Sequence, residues 1–261
     1  MNPGNKSFLF GEKRSDKLNA NINMRAIGVR AKEWEHPVYG LFRMVEERKK
    51  VSGDILKTPK RAREIYAISI IAMAMQYDYE EDWWINVSET EDSDGLIMTF
   101  SGDEKNGQKG LMREVQVVEH REDSGEIFDT IFKKIFETAY SPDMILVCLA
   151  LTNGIYNFEL LSERLKQVPS TFEHIFLVFA GVGLIDPTIP IESIRRSYSL
   201  VQLTPKFAST VFDYGILLED FDKKFKMGRE SRSIDGNKIF FTTRNKTISL
   251  AGEAHVNIKK G

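Results

Sequence analysis

Two uninterrupted apolar segments, residues 144–151 and 175–180, constrain the fold of this chain more than any other feature. Each has the length of a strand and lacks a polar residue that could face water, as is typical of strands buried on both faces. A helical stretch, residues 158–168, lies between them. A strand, helix and strand in this arrangement are expected to form a parallel, right-handed unit. The sequence therefore predicts an α/β protein with a partly parallel sheet.

Two helices are predicted before this unit. Residues 38–50 carry apolar side chains at helical spacing and end on three basic residues, which the helix dipole favours at a C-terminus. Thr58 followed by Pro59 indicates an N-cap and a first helical position. The chain from there to residue 76 is rich in Ala, Ile and Met and contains no helix breaker. We therefore expect a second, largely buried helix over residues 59–76.

Three strands and one more helix are predicted between this helix and the parallel unit. The strand-like segments are residues 83–87, 96–100 and 111–118, and short polar turns suited to an antiparallel meander join them. Residues 127–140 place Ile and Phe on one broad stripe, which indicates an amphipathic helix that ends before Pro142. The predicted order is helix, three strands, helix, strand, helix and strand.

The ends of the chain are predicted to elaborate this core. We expect three regions: an N-terminal arm and helix over residues 1–58, an α/β core over residues 59–183, and a C-terminal extension packed on the core over residues 184–261. Residues 1–36 show no lasting period and are interpreted as irregular. In the extension we expect turn and strand over residues 191–203, a helix over 211–225, and a hairpin of 239–243 with 247–250.

Composition and charge limit the class of protein. Hydrophobic residues make up 42% of the chain, enough to fill a core. No apolar run approaches the roughly 20 residues of a membrane helix, and residues 1–10 offer no signal-peptide stretch. A single cysteine, Cys148, excludes an internal disulfide and favours a reducing, cytoplasmic location. Net charge is +7 over residues 1–66, −10 over 67–104 and +6 over 221–261. Basic ends of this kind could bind a polyanion while the acidic middle holds a divalent metal. Charge runs are, however, also typical of ordinary solvated surfaces.

Three polar residues lie where the predicted core has to accommodate them. Asp94 directly precedes Gly95 at the start of the second strand. Glu114 and Gln116 are two positions apart in the third strand, so both are expected on the same face. A charge in an otherwise apolar strand costs several kcal/mol unless a partner compensates it. Carboxylate oxygens are ligands that Mg²⁺ prefers, so Asp94 and Glu114 are candidate metal ligands.

With these residues and this order of elements, the chain resembles the PD-(D/E)xK nuclease superfamily, which has a restriction-endonuclease-like fold. The resemblance covers about residues 59–151 and rests on the αβββαβ order and on Asp94 with Glu114-Val115-Gln116. It implies a mixed central sheet flanked by helices. The family's Pro is absent, since Ser93 precedes Asp94, and Gln116 replaces its Lys.

The resemblance implies a Mg²⁺-dependent endonuclease that hydrolyses phosphodiester bonds of DNA, with Mn²⁺ as a substitute, in restriction, defence, repair or a mobile element. Asp94, Glu114 and the carbonyl of Val115 would hold the metal, Gln116 would orient water, and Glu64 would assist from the preceding helix. A homodimer is expected by the same resemblance. The residues expected to grip phosphates are Lys49, Lys50, Lys60, Arg61, Arg63, Lys223, Lys224, Lys226, Arg229 and Arg232.

Several alternatives stay open at this point. Asp92 could replace Asp94, and Glu46 could replace Glu64. His120 could contact phosphate, act as a base or simply lie on the surface. Because Gln116 carries no positive charge, the chain could instead be a catalytically inactive nuclease-like fold that binds nucleic acid or another protein. An unrelated α/β protein with an acidic turn is a third reading.

Overall fold

Eleven strands and four helices make up the described part of this computed structural model, which covers residues 34–52, 54–79, 83–87, 93–101, 109–137, 144–152, 156–179, 197–213, 232–235, 238–242 and 247–251. The helices are α1 (Val38–Lys50), α2 (Lys60–Tyr79), α3 (Ile127–Glu137) and α4 (Phe158–Lys166), with short 3-10 helices at Ile55–Lys57 and Glu122–Ser124. The strands are β1 (Trp34–Glu35), β2 (Trp83–Asn86), β3 (Gly95–Ser101), β4 (Lys109–His120), β5 (Ile145–Ala150), β6 (His174–Phe179), β7 (Ser197–Thr204), β8 (Ala208–Asp213), β9 (Arg232–Asp235), β10 (Lys238–Thr242) and β11 (Thr247–Ala251).

The first eight strands form one mixed sheet in which the spatial order is the chain order. Pairing is antiparallel from β1 to β4, parallel from β4 through β5 to β6, and antiparallel again from β6 to β8. The last three strands form a separate antiparallel sheet in the order β11, β10, β9. The predicted α/β class, the meander, the parallel unit and the hairpin of β10 with β11 are confirmed.

Two predictions at the margins are wrong. Residues 211–213 were expected to begin a helix, but they belong to β8, which pairs with β7. The β-branched and aromatic side chains of Thr210, Val211 and Phe212 suit a strand, and the pairing partner decides the outcome; residues 214–225 lie outside the described part. Helix α2 begins at Lys60 and the carbonyl of Pro59 accepts its first hydrogen bond, from Arg63 at 3.3 Å, so Pro59 and not Thr58 occupies the N-cap position.

The sheet extends beyond both boundaries predicted for the core. β1 comes from the predicted N-terminal region and forms one edge, and β7 and β8 come from the predicted C-terminal extension and continue the other side. Within the described residues, no helix is both long and apolar enough to cross a membrane.

The sheet separates two hydrophobic cores. Ile145, Val147 and Leu149 of β5 pack with α1 and α2 on one face, and Leu146, Cys148 and Ala150 pack with α3 and α4 on the other. Every residue of β5 is buried, which explains its unbroken apolar sequence. Each fully buried aliphatic side chain contributes about 1.5–3 kcal/mol. These two cores fix β4 and β5, and with them the position of Asp94, Glu114 and Gln116.

Candidate functional site

Asp94 lies immediately before β3 and is hydrogen-bonded to the neighbouring strand, β4. Its main-chain N–H donates to the carbonyl of Val115 at 3.0 Å, and its Oδ2 accepts the N–H of Val117 at 2.7 Å. The carboxylate therefore binds a β4 amide that projects past the start of β3. Residue 95 has to be glycine for the chain to run this close to its neighbours. A Cβ at Gly95 would lie 2.7 Å from Ile68 Cδ1 and 2.9 Å from the carbonyl oxygen of Asn86.

Gln116 and Glu114 lie on the same face of β4. The pairing of Gly95 with Val115 sets Asp94 beside Gln116, whose amide nitrogen donates to Asp94 Oδ2, while Glu114 is paired with Leu96. Val115 packs in the core on the α1 and α2 side, so the alternation of the strand puts Glu114 and Gln116 on the α3 and α4 side. Glu114 is buried. The structure thus places Gln116 in contact with Asp94, and Glu114 two positions further along the same face of β4.

Burial raises the pKa of Asp94 above its ordinary value, and the neighbouring carboxylate of Glu64 raises it further. The Val117 amide and the positive charges of Lys60 and Lys134 act in the opposite direction without cancelling the rise. A partly buried carboxylate with a second carboxylate nearby is a place where a bound cation lowers the electrostatic cost. This pKa direction distinguishes Asp94 from an ordinary surface acid.

Arg61 connects the first turn of α2 to Asp94. One guanidinium nitrogen donates to the main-chain oxygen of Asp94 at 2.8 Å and to Glu64 Oε2 at 3.0 Å. Lys60 Nζ lies 3.0 Å from the other oxygen of Glu64, and this contact raises the pKa of Lys60. Glu64 is buried. Its carboxylate is therefore held by two cations, and Arg61 fixes it relative to the start of β3.

The oxygen atoms around Asp94 are of the type that a hard cation such as Mg²⁺ prefers, but they do not surround a metal position completely. Among the described residues, no group of three or more His, Cys, Asp or Glu side chains is arranged as a metal site. Mg²⁺, however, commonly uses only one or two carboxylates and keeps several waters. Asp94 Oδ2 is engaged by two donors, whereas no hydrogen bond from the described part reaches its Oδ1. The Val115 carbonyl already accepts the Asp94 amide and retains a second lone pair.

Arg63, expected to contact phosphate, is instead part of a buried ion pair. Its guanidinium contacts both carboxylate oxygens of Glu119, at 2.6 and 3.0 Å, and also donates to the carbonyl of Thr58. Burial would raise the pKa of Glu119, but hydrogen bonds from Arg63 and Arg121 hold it below its ordinary value. With only 3% of its side chain exposed, Arg63 has no free face for a nucleic acid.

The remaining predicted cations belong to α1 and β9 or lie outside the described residues. Lys49 and Lys50 are 66% exposed at the end of α1 and pair with Glu46 and Glu47. Arg232 belongs to β9. Lys223, Lys224, Lys226 and Arg229 lie outside the part that the structure describes, as does Asp92.

Glu46 and His120, the other candidates, have separate surroundings. Glu46 lines an open cavity of about 490 Å³ between α1 and the start of α2, whose lining does not include Asp94, Glu114 or Gln116. His120 is buried, its Nδ1 lies 2.9 Å from Thr130 Oγ1, and burial lowers its pKa. His120 is therefore part of the packing between β4 and α3, and the prediction of a surface position is wrong.

Sequence reasoning missed the roles of Arg61 and Lys134. The spacing of Lys60 and Arg61 from Glu64, four and three positions along a helix, could have revealed the ion pairs. The hydrogen bond from Arg61 to Asp94 spans 33 positions and depends on tertiary packing. Lys134 comes from α3, so the influence of its charge on Asp94 could not be inferred from a motif.

Comparisons of the chain with protein-family models, curated proteins and solved structures gave no match. The function of the Asp94 site must therefore be inferred from the chemistry of its own residues.

Proposed function

We propose that this protein is a metal-dependent nuclease that hydrolyses DNA phosphodiester bonds, with a PD-(D/E)xK-type site at Asp94, Glu114 and Gln116. The observation that carries the proposal is the position of Asp94. Its partly buried carboxylate has a raised pKa, is fixed by Gln116 and Val117, and lies just before β3, beside the face of β4 that carries Glu114 and Gln116. A carboxylate in these surroundings is more stable when it binds a divalent cation than when it is ionised without one.

In this proposal Asp94 and Glu114 hold Mg²⁺ or Mn²⁺, with the Val115 carbonyl as a third donor. The metal, when bound, supplies Lewis-acid stabilisation of charge on the phosphate. Gln116 keeps the Asp94 carboxylate oriented through its amide nitrogen, and its carbonyl oxygen is an acceptor that can position a water molecule. Arg61 keeps Asp94 and Glu64 at a fixed separation.

Lys60 and Lys134 provide the positive charge that Gln116 lacks. Both charges reach Asp94, one from α2 and one from α3. Lys60 is 69% exposed, so it can leave Glu64 and approach a phosphate. A substrate bound at Asp94 would thus meet a cation from each helix. Binding of DNA in the cytoplasm, and a homodimer, are part of this proposal.

A second candidate function is a nuclease-like fold that binds nucleic acid without cutting it. Residue 116 favours this second candidate. Its position is the one where a Lys would assist catalysis, and here it is a neutral Gln whose amide nitrogen is already hydrogen-bonded to Asp94. The two candidates differ in one property, which is metal-dependent cleavage.

Cleavage of supercoiled plasmid and of single-stranded DNA with Mg²⁺ or Mn²⁺ tests the proposal. The comparison is between the native protein, Asp94→Ala, Glu114→Ala and the control Glu122→Ala, which removes an exposed acid two residues after β4. We expect metal-dependent cleavage by the native protein and the control, and at least a hundredfold loss in the two site variants, consistent with about 2.7 kcal/mol of lost transition-state stabilisation. DNA binding without cleavage would support the second candidate. Cleavage that survives both substitutions would contradict the site.

A further inference from the structure

The carboxylate of Glu64 is buried near the start of α2, and a cation contacts each of its oxygens. Only 5% of the Glu64 side chain is exposed. Lys60 Nζ lies 3.0 Å from Oε1, and a guanidinium nitrogen of Arg61 lies 3.0 Å from Oε2. A charge held away from water is costly unless it is paired. The two cations therefore stabilise Glu64 in the absence of a metal ion.

The two cations are held to different extents. The Arg61 side chain is 28% exposed, and the nitrogen that contacts Glu64 also donates to the main-chain oxygen of Asp94 at 2.8 Å. The Lys60 side chain is 69% exposed, and within the described residues its ion pair with Glu64 has no second partner to reinforce it. An exposed lysine on a flexible stem forms a weak pair. Lys60 is therefore the cation that can leave, whereas Arg61 stays.

Glu64 lies close to the candidate metal site. Because one Arg61 nitrogen contacts both groups, Glu64 Oε2 and the main-chain oxygen of Asp94 are at most 5.8 Å apart, which is 3.0 Å plus 2.8 Å. Burial raises the pKa of Asp94, and the negative charge of Glu64 adds to that rise. The two carboxylates therefore act on each other at the start of β3.

We propose that Lys60 controls whether Glu64 can bind the metal ion at Asp94: its ammonium group covers Oε1 in place of a metal, and Glu64 becomes a ligand only when Lys60 leaves. This inference rests on the proposed function and concerns the regulation of the same site. Within the described residues, Lys60 is the contact that covers Oε1. Without Lys60 this buried oxygen would be uncovered, and a divalent cation would compensate its charge.

This control differs from simple repulsion between cations because it acts through Glu64. Any positive charge near Asp94 opposes a metal ion, and Lys134 supplies such a charge from α3. Lys134 lies 3.4 Å from Glu137 and makes no contact with Glu64. Replacing Lys134 therefore removes the same charge without uncovering Glu64, which makes it the matched control.

Binding of Mn²⁺ to the full chain, without nucleic acid, tests the inference. Electron paramagnetic resonance of free Mn²⁺ measures the affinity of the native protein and of five variants: Lys60→Met, Lys60→Arg, Lys134→Met, Glu64→Gln, and Lys60→Met combined with Glu64→Gln. The Gln side chain keeps an oxygen that can accept the hydrogen bond from Arg61. Thermal unfolding of each variant without metal checks the fold.

We expect Lys60→Met to bind Mn²⁺ about tenfold more tightly than the native protein, because Glu64 adds a carboxylate ligand. Lys60→Arg keeps a cation at this position and should bind Mn²⁺ as the native protein does. Lys134→Met should gain about threefold or less, the effect of an exposed charge. In the Glu64→Gln protein, the Lys60→Met change should gain no more than Lys134→Met does.

Two results would overturn the inference in favour of charge repulsion alone. One is an equal gain from Lys60→Met and Lys134→Met, and the other is a gain from Lys60→Met that survives Glu64→Gln.

The same measurement separates this inference from the proposed function. If Asp94→Ala abolishes Mn²⁺ binding while Lys60→Met binds it as the native protein does, the metal site stands and only the role of Lys60 fails. If neither the native protein nor Lys60→Met binds Mn²⁺, the metal site and the role of Lys60 both fail.

Discussion

One guanidinium nitrogen of Arg61 lies 2.8 Å from the main-chain oxygen of Asp94, although 33 positions separate the two residues. The same nitrogen contacts Glu64, so a single side chain joins the first turn of α2 to the start of β3. The geometry of the candidate site therefore depends on a helix that contributes few of the motif residues.

Replacing Arg61 should loosen the junction between α2 and β3. Arg61→Ala removes two hydrogen bonds to oxygen acceptors, and we expect a loss of about 1–2 kcal/mol in the free energy of unfolding, since 28% of the side chain is exposed. Urea denaturation measures this. Lys57→Ala, which breaks an exposed pair with Asp54, is the control and should cost less than about 0.5 kcal/mol. An Arg61 variant as stable as that control would contradict the structural role.

The raised pKa of Asp94 should make its contribution to stability depend on pH. Below its ordinary value of 3.8 the carboxyl is protonated in both folded and unfolded states. As pH rises through the higher folded pKa, the unfolded chain ionises more readily, and stability is lost. Asp94→Asn stays neutral and can still accept the Val117 amide. We therefore expect the native protein to lose stability relative to Asp94→Asn as pH rises from about 3.5, near the ordinary pKa, to 7. The difference in the free energy of unfolding, variant minus native, should increase over this range.

Urea denaturation at several pH values tests this, with Asp129→Asn as an exposed control in α3. A constant difference between Asp94→Asn and the native protein over the whole range would contradict the raised pKa. Addition of Mg²⁺ at pH 7 should stabilise the native protein and leave the Asp94→Asn variant much less affected.

Glu119 should behave in the opposite way. Burial raises its pKa, but Arg63 and Arg121 more than offset this, so its folded pKa lies below the ordinary value of 4.5. The stability it contributes is present above 4.5 and is lost as pH falls through the folded pKa. Glu119→Gln leaves the Arg63 charge buried and should cost about 3–5 kcal/mol at neutral pH, with a smaller cost in acid. Urea titrations measure both, and a cost independent of pH would argue against the ion pair.

Gly40 should not tolerate a side chain where α1 crosses α2. A Cβ at this position would lie 1.9 Å from Ser69 Oγ and 2.9 Å from Ile65 Cγ2. Gly40→Ala should therefore lower stability by about 1–3 kcal/mol, despite the better helix propensity of Ala. Adding Ser69→Ala removes the nearest atom and should recover part of the loss. Thermal unfolding of the single and double variants decides this, and additive losses would exclude the contact.

Cys148 should not react while the protein is folded. It is buried in β5, and burial raises the pKa of the thiol well above its ordinary range. Only the thiolate is a nucleophile, so alkylation by iodoacetamide should require unfolding. Mass spectrometry of protein labelled with and without urea reports the difference. Rapid labelling without urea would mean that β5 opens to solvent.

The helices and strands from residue 38 to residue 179 could largely be predicted because each one has a clear period or an unbroken apolar run. The bounds of α1 coincide with the prediction, and β5 lies within the predicted run of residues 144–151. Beyond residue 183 the patterns weaken, and the strand character of residues 211–213 appears only when β7 supplies a partner. Local preference cannot decide a segment whose conformation depends on pairing.

The candidate site was predictable only in its motif. Glu114 and Gln116 share a face because they are two positions apart in a strand, and Asp94 directly precedes the neighbouring strand. The buried ion pair of Arg63 with Glu119 spans 56 positions, so no local spacing could have distinguished Arg63 from a phosphate-binding arginine. Long-range pairs of this kind depend on how α2 is placed on the sheet.

The agreement between spatial order and chain order in the large sheet has a consequence for fragment complementation. A chain divided between α3 and β5 would give two pieces with contiguous blocks of strands, β1 to β4 and β5 to β8. Within the sheet these blocks meet only along the parallel ladder that joins Val115 to Ile145 and His120 to Ala150. The two pieces could therefore rejoin along one seam without exchanging a strand, which makes the protein a natural candidate for a split reporter.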